Sequence, residues 1–176
     1  MPSTRLLDCA LATFTVARPR YQPPATQTDA WQFQGGALVQ TKFRYIRITG
    51  VAVLARQLSV DLIKRSTADT GGTPTTVTPQ KMDSSDAAAA TGCKEFAAVP
   101  TPLGTAIGTV LASSIAITPD TFAAGYSGMA LLFPGLDASF KPITLNGVAE
   151  FLCINLAGVA TVNTDKIDLE AIFTEQ

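Results

Sequence analysis

Ile167-Asp168-Leu169-Glu170-Ala171-Ile172-Phe173 alternates residue by residue: Ile167, Leu169, Ala171 and Phe173 fall on one side, Asp168, Glu170 and Ile172 on the other. Side chains along a strand point to opposite faces in turn, so this spelling predicts a half-buried β-strand. The same period returns in Leu58, Val60 and Leu62, set against Ser59, Asp61 and Ile63. Phe43-Arg44-Tyr45-Ile46-Arg47-Ile48-Thr49-Gly50-Val51 is rich in β-formers and carries two arginines, which suits a strand with one face on protein and one partly wet. Phe151-Leu152-Cys153-Ile154-Asn155-Leu156 is apolar on both faces and predicts a central strand covered on both sides.

Turn residues punctuate these runs. Asn146-Gly147 stands between Ile143-Thr144-Leu145 and Val148-Ala149-Glu150-Phe151 and predicts a type I′ hairpin turn. Ala157-Gly158 with Asn163-Thr164-Asp165 suits the next turn, and prolines recur along the whole chain. Helical patterns are scarce: Asp83-Ser84-Ser85-Asp86 before Ala87-Ala88-Ala89-Ala90 suits one capped turn that Thr91-Gly92 would end. Regular spacing of about eight to ten strands predicts an all-β fold: a single-domain antiparallel β-sandwich, jelly-roll-like, over residues 1–176. Two segments depart from the strand pattern. The Pro-rich stretch from Arg18 to Thr28 is expected to be an extended arm or long loop, running to about residue 30, because its prolines cannot donate to a ladder. Ser66-Thr67-Ala68-Asp69-Thr70-Gly71-Gly72-Thr73-Pro74 reads as a polar loop after a strand.

Composition narrows the function. Charged residues make up 15% of the 176 residues and hydrophobic ones 47%. So sparse a charge leaves Thr, Ser, Gln and Ala outside and suggests surface hidden against partner chains. The net charge of -1 leaves no basic excess for phosphate, so nucleic acid is not an expected partner. No stretch approaches the ~20 apolar residues of a membrane span, and Met1-Pro2-Ser3-Thr4-Arg5-Leu6 lacks the apolar run of a signal peptide. The expectation is a soluble protein made in a reducing cytoplasm.

There is no histidine, so the commonest general base and metal ligand is missing. Cys9, Cys93 and Cys153 are far apart, odd in number and form no CxxC pair; they read as small buried hydrophobes and free thiols, although a Cys93–Cys153 bridge is compatible with the sequence. Asp61, Asp137, Glu150, Asp165, Asp168 and Glu170 are candidate acid/base carboxylates, and Asp168 with Glu170 at i,i+2 could converge as a glycosidase pair does. A solvated strand face is the plainer reading. Ser127 in Gly125-Tyr126-Ser127-Gly128 misses the nucleophile-elbow spacing, and Gly71-Gly72-Thr73 lacks the lysine of a phosphate loop and reads as a turn needing positive φ. Asp83, Asp86 and the nearby serines could ligate calcium weakly, but their spacing is not that of an EF-hand loop. No catalytic residue, metal or cofactor is expected. The candidate interaction residues are Arg18, Arg20, Tyr21, Pro23, Pro24, Trp31, Phe33 and Tyr126, whose aromatics lie in or beside loop-like segments and would anchor an interface.

Val60-Asp61-Leu62-Ile63-Lys64-Arg65-Ser66-Thr67-Ala68-Asp69-Thr70-Gly71-Gly72-Thr73, then Val77-Thr78-Pro79 and Asp83-Ser84-Ser85-Asp86-Ala87-Ala88-Ala89, resembles a segment of small virion structural proteins of tailed bacteriophages. The ending, from Gly147 to Leu156 and through Ile172-Phe173-Thr174-Glu175, is similar too, except that a tryptophan is expected near Phe173. The resemblance covers about two thirds of the chain. It implies a β-sandwich that decorates or cements a capsid by binding the major capsid protein, or else builds part of a tail, baseplate or fibre. It also implies a virion location after assembly in the host cytoplasm, and a homo-oligomer, with a trimer favoured by three-fold lattice sites. A carbohydrate-binding or hydrolytic β-sandwich is the alternative from another class. The chain has no fibrous repeat, which tilts the expectation to the capsid.

Overall fold

The computed structural model describes residues 11–23, 26–119, 128–132, 141–157 and 165–176. Among them there is no helix, and the strands form two antiparallel sheets packed face to face as a β-sandwich. The first sheet holds β1 (Ala12–Tyr21), β3 (Gln40–Val51), β6 (Gln80–Lys81), β9 (Gly128–Leu132), β10 (Thr144–Asn146) and β12 (Lys166–Glu175). Its order is β10-β3-β12-β1-β6, with β9 also pairing on β3. The second sheet holds β2 (Thr28–Gln34), β4 (Arg56–Arg65), β5 (Pro74–Thr76), β7 (Gly92–Phe96), β8 (Ala106–Ile117) and β11 (Phe151–Ala157), in the order β5-β7-β2-β11-β4-β8.

The period-two runs become the inward faces. Ile167, Leu169, Ala171 and Phe173 of β12 are buried, as are Leu58, Val60 and Leu62 of β4. β11 lies between β2 and β4, and Phe151 to Leu156 are all buried, as its two apolar faces predict. Aromatic rings join the sheets. Phe33 of β2 meets Phe43 of β3 edge-on at 5.1 Å, and Tyr21 of β1 meets Trp31 of β2 at 4.4 Å. Phe14 stacks on its cross-strand partner Phe173 at 5.6 Å. Each such ring contributes on the order of 1.5–3 kcal/mol by leaving water.

Three expectations are corrected. Residues 18–21 are no arm: they complete β1, and β2 starts at Thr28, so only a short connection separates the strands. Pro19 is accommodated by a β-bulge. Arg18 pairs with Leu169 and Tyr21 with Ile167, so Pro19 and Arg20 together oppose Asp168. Pro19 thus owes the ladder no N–H, and Arg20, at φ 56°, donates its N–H to Asp168 Oδ1 at 2.5 Å. Asn146-Gly147 does not close a hairpin: β10 and β11 belong to different sheets, and only Gly147 of the pair has a positive φ, 82°. This turn carries the chain across the sandwich, with Glu150 N donating to Gly147 O at 3.2 Å. Asp83-Ser84-Ser85-Asp86 caps no helix; Asp83 Oδ1 accepts from the backbone N and the hydroxyl of Ser85 in a local turn. The turn expected around Gly158 and Asn163 lies outside the described residues.

Candidate functional site

On β2 and β11 the core takes Trp31, Phe33, Leu152 and Ile154, so alternation turns Gln32, Cys153 and Asn155 to the opposite, outer face of the second sheet. That face is not wet. Two loops, residues 66–73 and 97–105, lie over it and are laced to each other by backbone bonds. Thr101 N donates to Thr70 O at 2.8 Å, Ala98 N to Gly72 O at 2.9 Å and Ser66 N to Thr105 O at 2.9 Å. Gly71 and Gly72 have φ of 70° and 71°, the turn geometry their sequence predicts.

Beneath the loops sits a buried ionic cluster. Arg65 is 5% exposed; its Nε donates to Asp29 Oδ2 at 2.7 Å and its Nη1 to Gly104 O at 2.6 Å. Asp69, at the middle of the first loop, accepts from Gly104 N at 2.7 Å and lies 3.6 Å from Arg65 Nε. Asn155 Nδ2 donates to Asp29 Oδ1 at 2.6 Å, and Gln32 Nε2 reaches Cys153 Sγ at 3.5 Å. Both loops are therefore fastened to the sheet through one guanidinium and two carboxylates. Burial, together with the neighbouring Asp29, lifts the Asp69 carboxyl to about 6, against the pull of Gly104 N–H and Arg65.

The carboxylates of Asp29 and Asp69 and the Cys153 sulfur lie within 4.8 Å of one another, a donor set of metal-like size. Arg65 already supplies the cation between the two carboxylates. Burial, then Asp29 and Asp69, push the Cys153 thiol far up, so it stays protonated and a poor ligand or nucleophile. The arrangement suits fastening rather than bond chemistry. Cys93 and Cys153 are both free and buried, and Cys9 lies outside the described residues.

The residues expected to form an interface separate. Tyr21, Trp31 and Phe33 are 5%, 0% and 0% exposed and belong to the core, so the expectation of accessible loop aromatics is corrected. Tyr21 keeps its hydroxyl bonded to Phe96 O. Arg18 is exposed and ties β1 to the second sheet through two bonds of 2.6 Å to Glu95. Arg20 is exposed at the bulge and Pro23 is buried, while Pro24 and Tyr126 lie outside the described residues. The period of Trp31-Gln32-Phe33-Gln34 was the signal for a strand that the nearby prolines obscured. Of the candidate acids, Asp168 accepts from Arg20 N and Glu170 pairs with Arg47 at 2.9 Å on the outer face of the first sheet. Asp29, Arg65, Asp69 and Asn155 carried no local signal, because the cluster is assembled from segments remote in sequence.

Compared with known proteins, the chain matches no protein-family model, no curated protein and no solved structure.

Proposed function

We propose that this chain is a non-enzymatic structural protein of a tailed-phage virion that decorates or cements the capsid, binding the major capsid protein as a homo-oligomer. Strand order carries the reading. Eight strands run β9-β3-β12-β1 in one sheet and β8-β4-β11-β2 in the other, and along these eight the chain crosses between sheets at every step except from β4 to β8. That order supports a jelly roll, the double Greek key used by many viral capsid and lectin domains. The surface adds to it. From Phe96 to Pro119 no residue is charged, and Val99, Leu103, Ile107 and Val110 within that stretch are exposed. Such a surface fits a protein that works against other subunits.

The test is to add purified protein to capsid shells that lack it. Co-sedimentation with the shells, and greater resistance of the loaded shells to heat rupture, is the expected result. Protein that remains in the supernatant overturns the capsid reading, as does a virion density map that places it on the tail.

A further inference from the structure

Among the described residues the sandwich ends in several sheet edges, and most are short or defended; β9, though uncharged, has only five residues. β5, β6 and β10 are only 3, 2 and 3 residues long, β5 begins with a proline and β6 carries Lys81. β6 covers β1 only at Phe14 and Thr15; beyond it the β1 edge bears Arg18, Pro19 and Arg20 and the bulge. Short strands, cations, prolines and bulges are the usual means of keeping an edge from recruiting another strand. β8 is 12 residues long and has no charge and no proline. Over Ala106–Ile115, among the described residues, it pairs only with β4, leaving its other edge without a strand. Two bulges, at Ile107 and Val110, leave those side chains 60% and 44% exposed, while the register from Leu111 onward is regular.

We infer that the outer edge of β8 pairs antiparallel with β8 of a second copy of this chain, about a two-fold axis near Ala112. The inference rests on the homo-oligomer in the proposed function and names its surface. Charge selects the occupant. An identical strand brings no charge to be desolvated and no like charges to face each other, since all 27 charged residues of the chain lie outside β8. An isologous pairing uses the same patch on both copies and so closes on itself. It also repeats the antiparallel geometry of every strand pair in both sheets, and joins the two second sheets into one. At ~3.4 Å per residue β8 is about 40 Å long, and a two-fold near Ala112 sets residues 109–115 of one copy against the same residues of the other, with Ile107 just beyond the paired stretch. The result is a dimer, or a dimeric contact in an even-numbered assembly, in place of the three-fold expected from the resemblance.

Ala112 is exposed and central in β8, so Ala112→Lys and Ala112→Glu change the edge and leave the core alone. Purified protein, free of shells, is measured by sedimentation equilibrium, which separates this test from shell binding. The wild type is expected to be dimeric or even-numbered. Each variant, its strand spectrum intact, is expected to self-associate on the order of 10-fold or more weakly, and an equimolar mixture of the two to recover the wild-type mass. Exposed Ser114 takes the same pair of substitutions should the Ala112 variants fail to fold. A monomeric wild type, variants with unchanged mass, or a loss that mixing does not restore overturns the self-pairing.

Discussion

The stretch from Ala97 to Ile117 joins two regions that treat charge in opposite ways. Its first part, the loop 97–105, covers Asp29, Arg65 and Asp69, which are 0%, 5% and 5% exposed. Its second part, β8, holds Ile107 and Val110 out in water without a charged residue near them in sequence. Buried charge is tolerated where every carboxylate has a cation or an N–H to meet; exposed apolar surface is stable in isolation but invites company. The first region is finished within one chain; the second is the edge proposed to pair with another copy.

The largest expected break in this contrast is Arg65→Met. It strands Asp29 and Asp69 under the loops without their cation and should lower the unfolding free energy by about 3–5 kcal/mol, read from urea denaturation. Adding Asp29→Asn and Asp69→Asn should return much of that loss, since the fault is the unpaired charge rather than the missing volume.

Gly104→Ala comes next. A Cβ there would run into the Thr67 carbonyl oxygen and press the two loops apart, at a cost of about 1–3 kcal/mol by the same measurement.

A smaller effect follows from pH. The Asp69 carboxyl is raised in the folded chain from its usual 3.8 to about 6, so the folded state holds that proton more tightly than the unfolded state. The stabilisation is fully present below the unfolded value and is lost as pH rises through about 6. Stability should therefore increase by about 1 kcal/mol between pH 7 and pH 5, and Asp69→Asn should flatten that slope. A wild-type curve that falls over this interval would sink the assignment.

The smallest effect on folding belongs to β8. Val110→Thr should change the stability of the dilute protein by no more than about 0.5 kcal/mol, because the side chain is already in water. The sharper contrast is that the same substitution should weaken self-association, which Arg65→Met touches only through unfolding.

Period two was enough to find β4 and β12, and a run apolar on both faces to find β11, because each strand spells out its own faces. β1 and β2 were obscured by Pro19, Pro23 and Pro24, since the bulge that admits Pro19 depends on Asp168 opposite it, remote in sequence. The crossover at Gly147 reads like a hairpin because a positive φ is local, whereas the sheet that receives the next strand is decided by packing. The ionic cluster was illegible for the same reason: Asp69 looks like any polar loop residue until Gly104 and Arg65 are brought beside it.

The position of β12 also fixes a schedule. It lies between β1 and β3 and is the last of these strands to be synthesised. Until residues 166–175 emerge from the ribosome, Phe14 and Val16 have no neighbour in the interior of their sheet and β1 cannot be joined to β3. At ordinary translation rates that interval is roughly 10–30 s, long for an apolar strand to wait. Closure of the first sheet is therefore a late event, and until then the apolar face of β1 waits without the strand that joins it to β3.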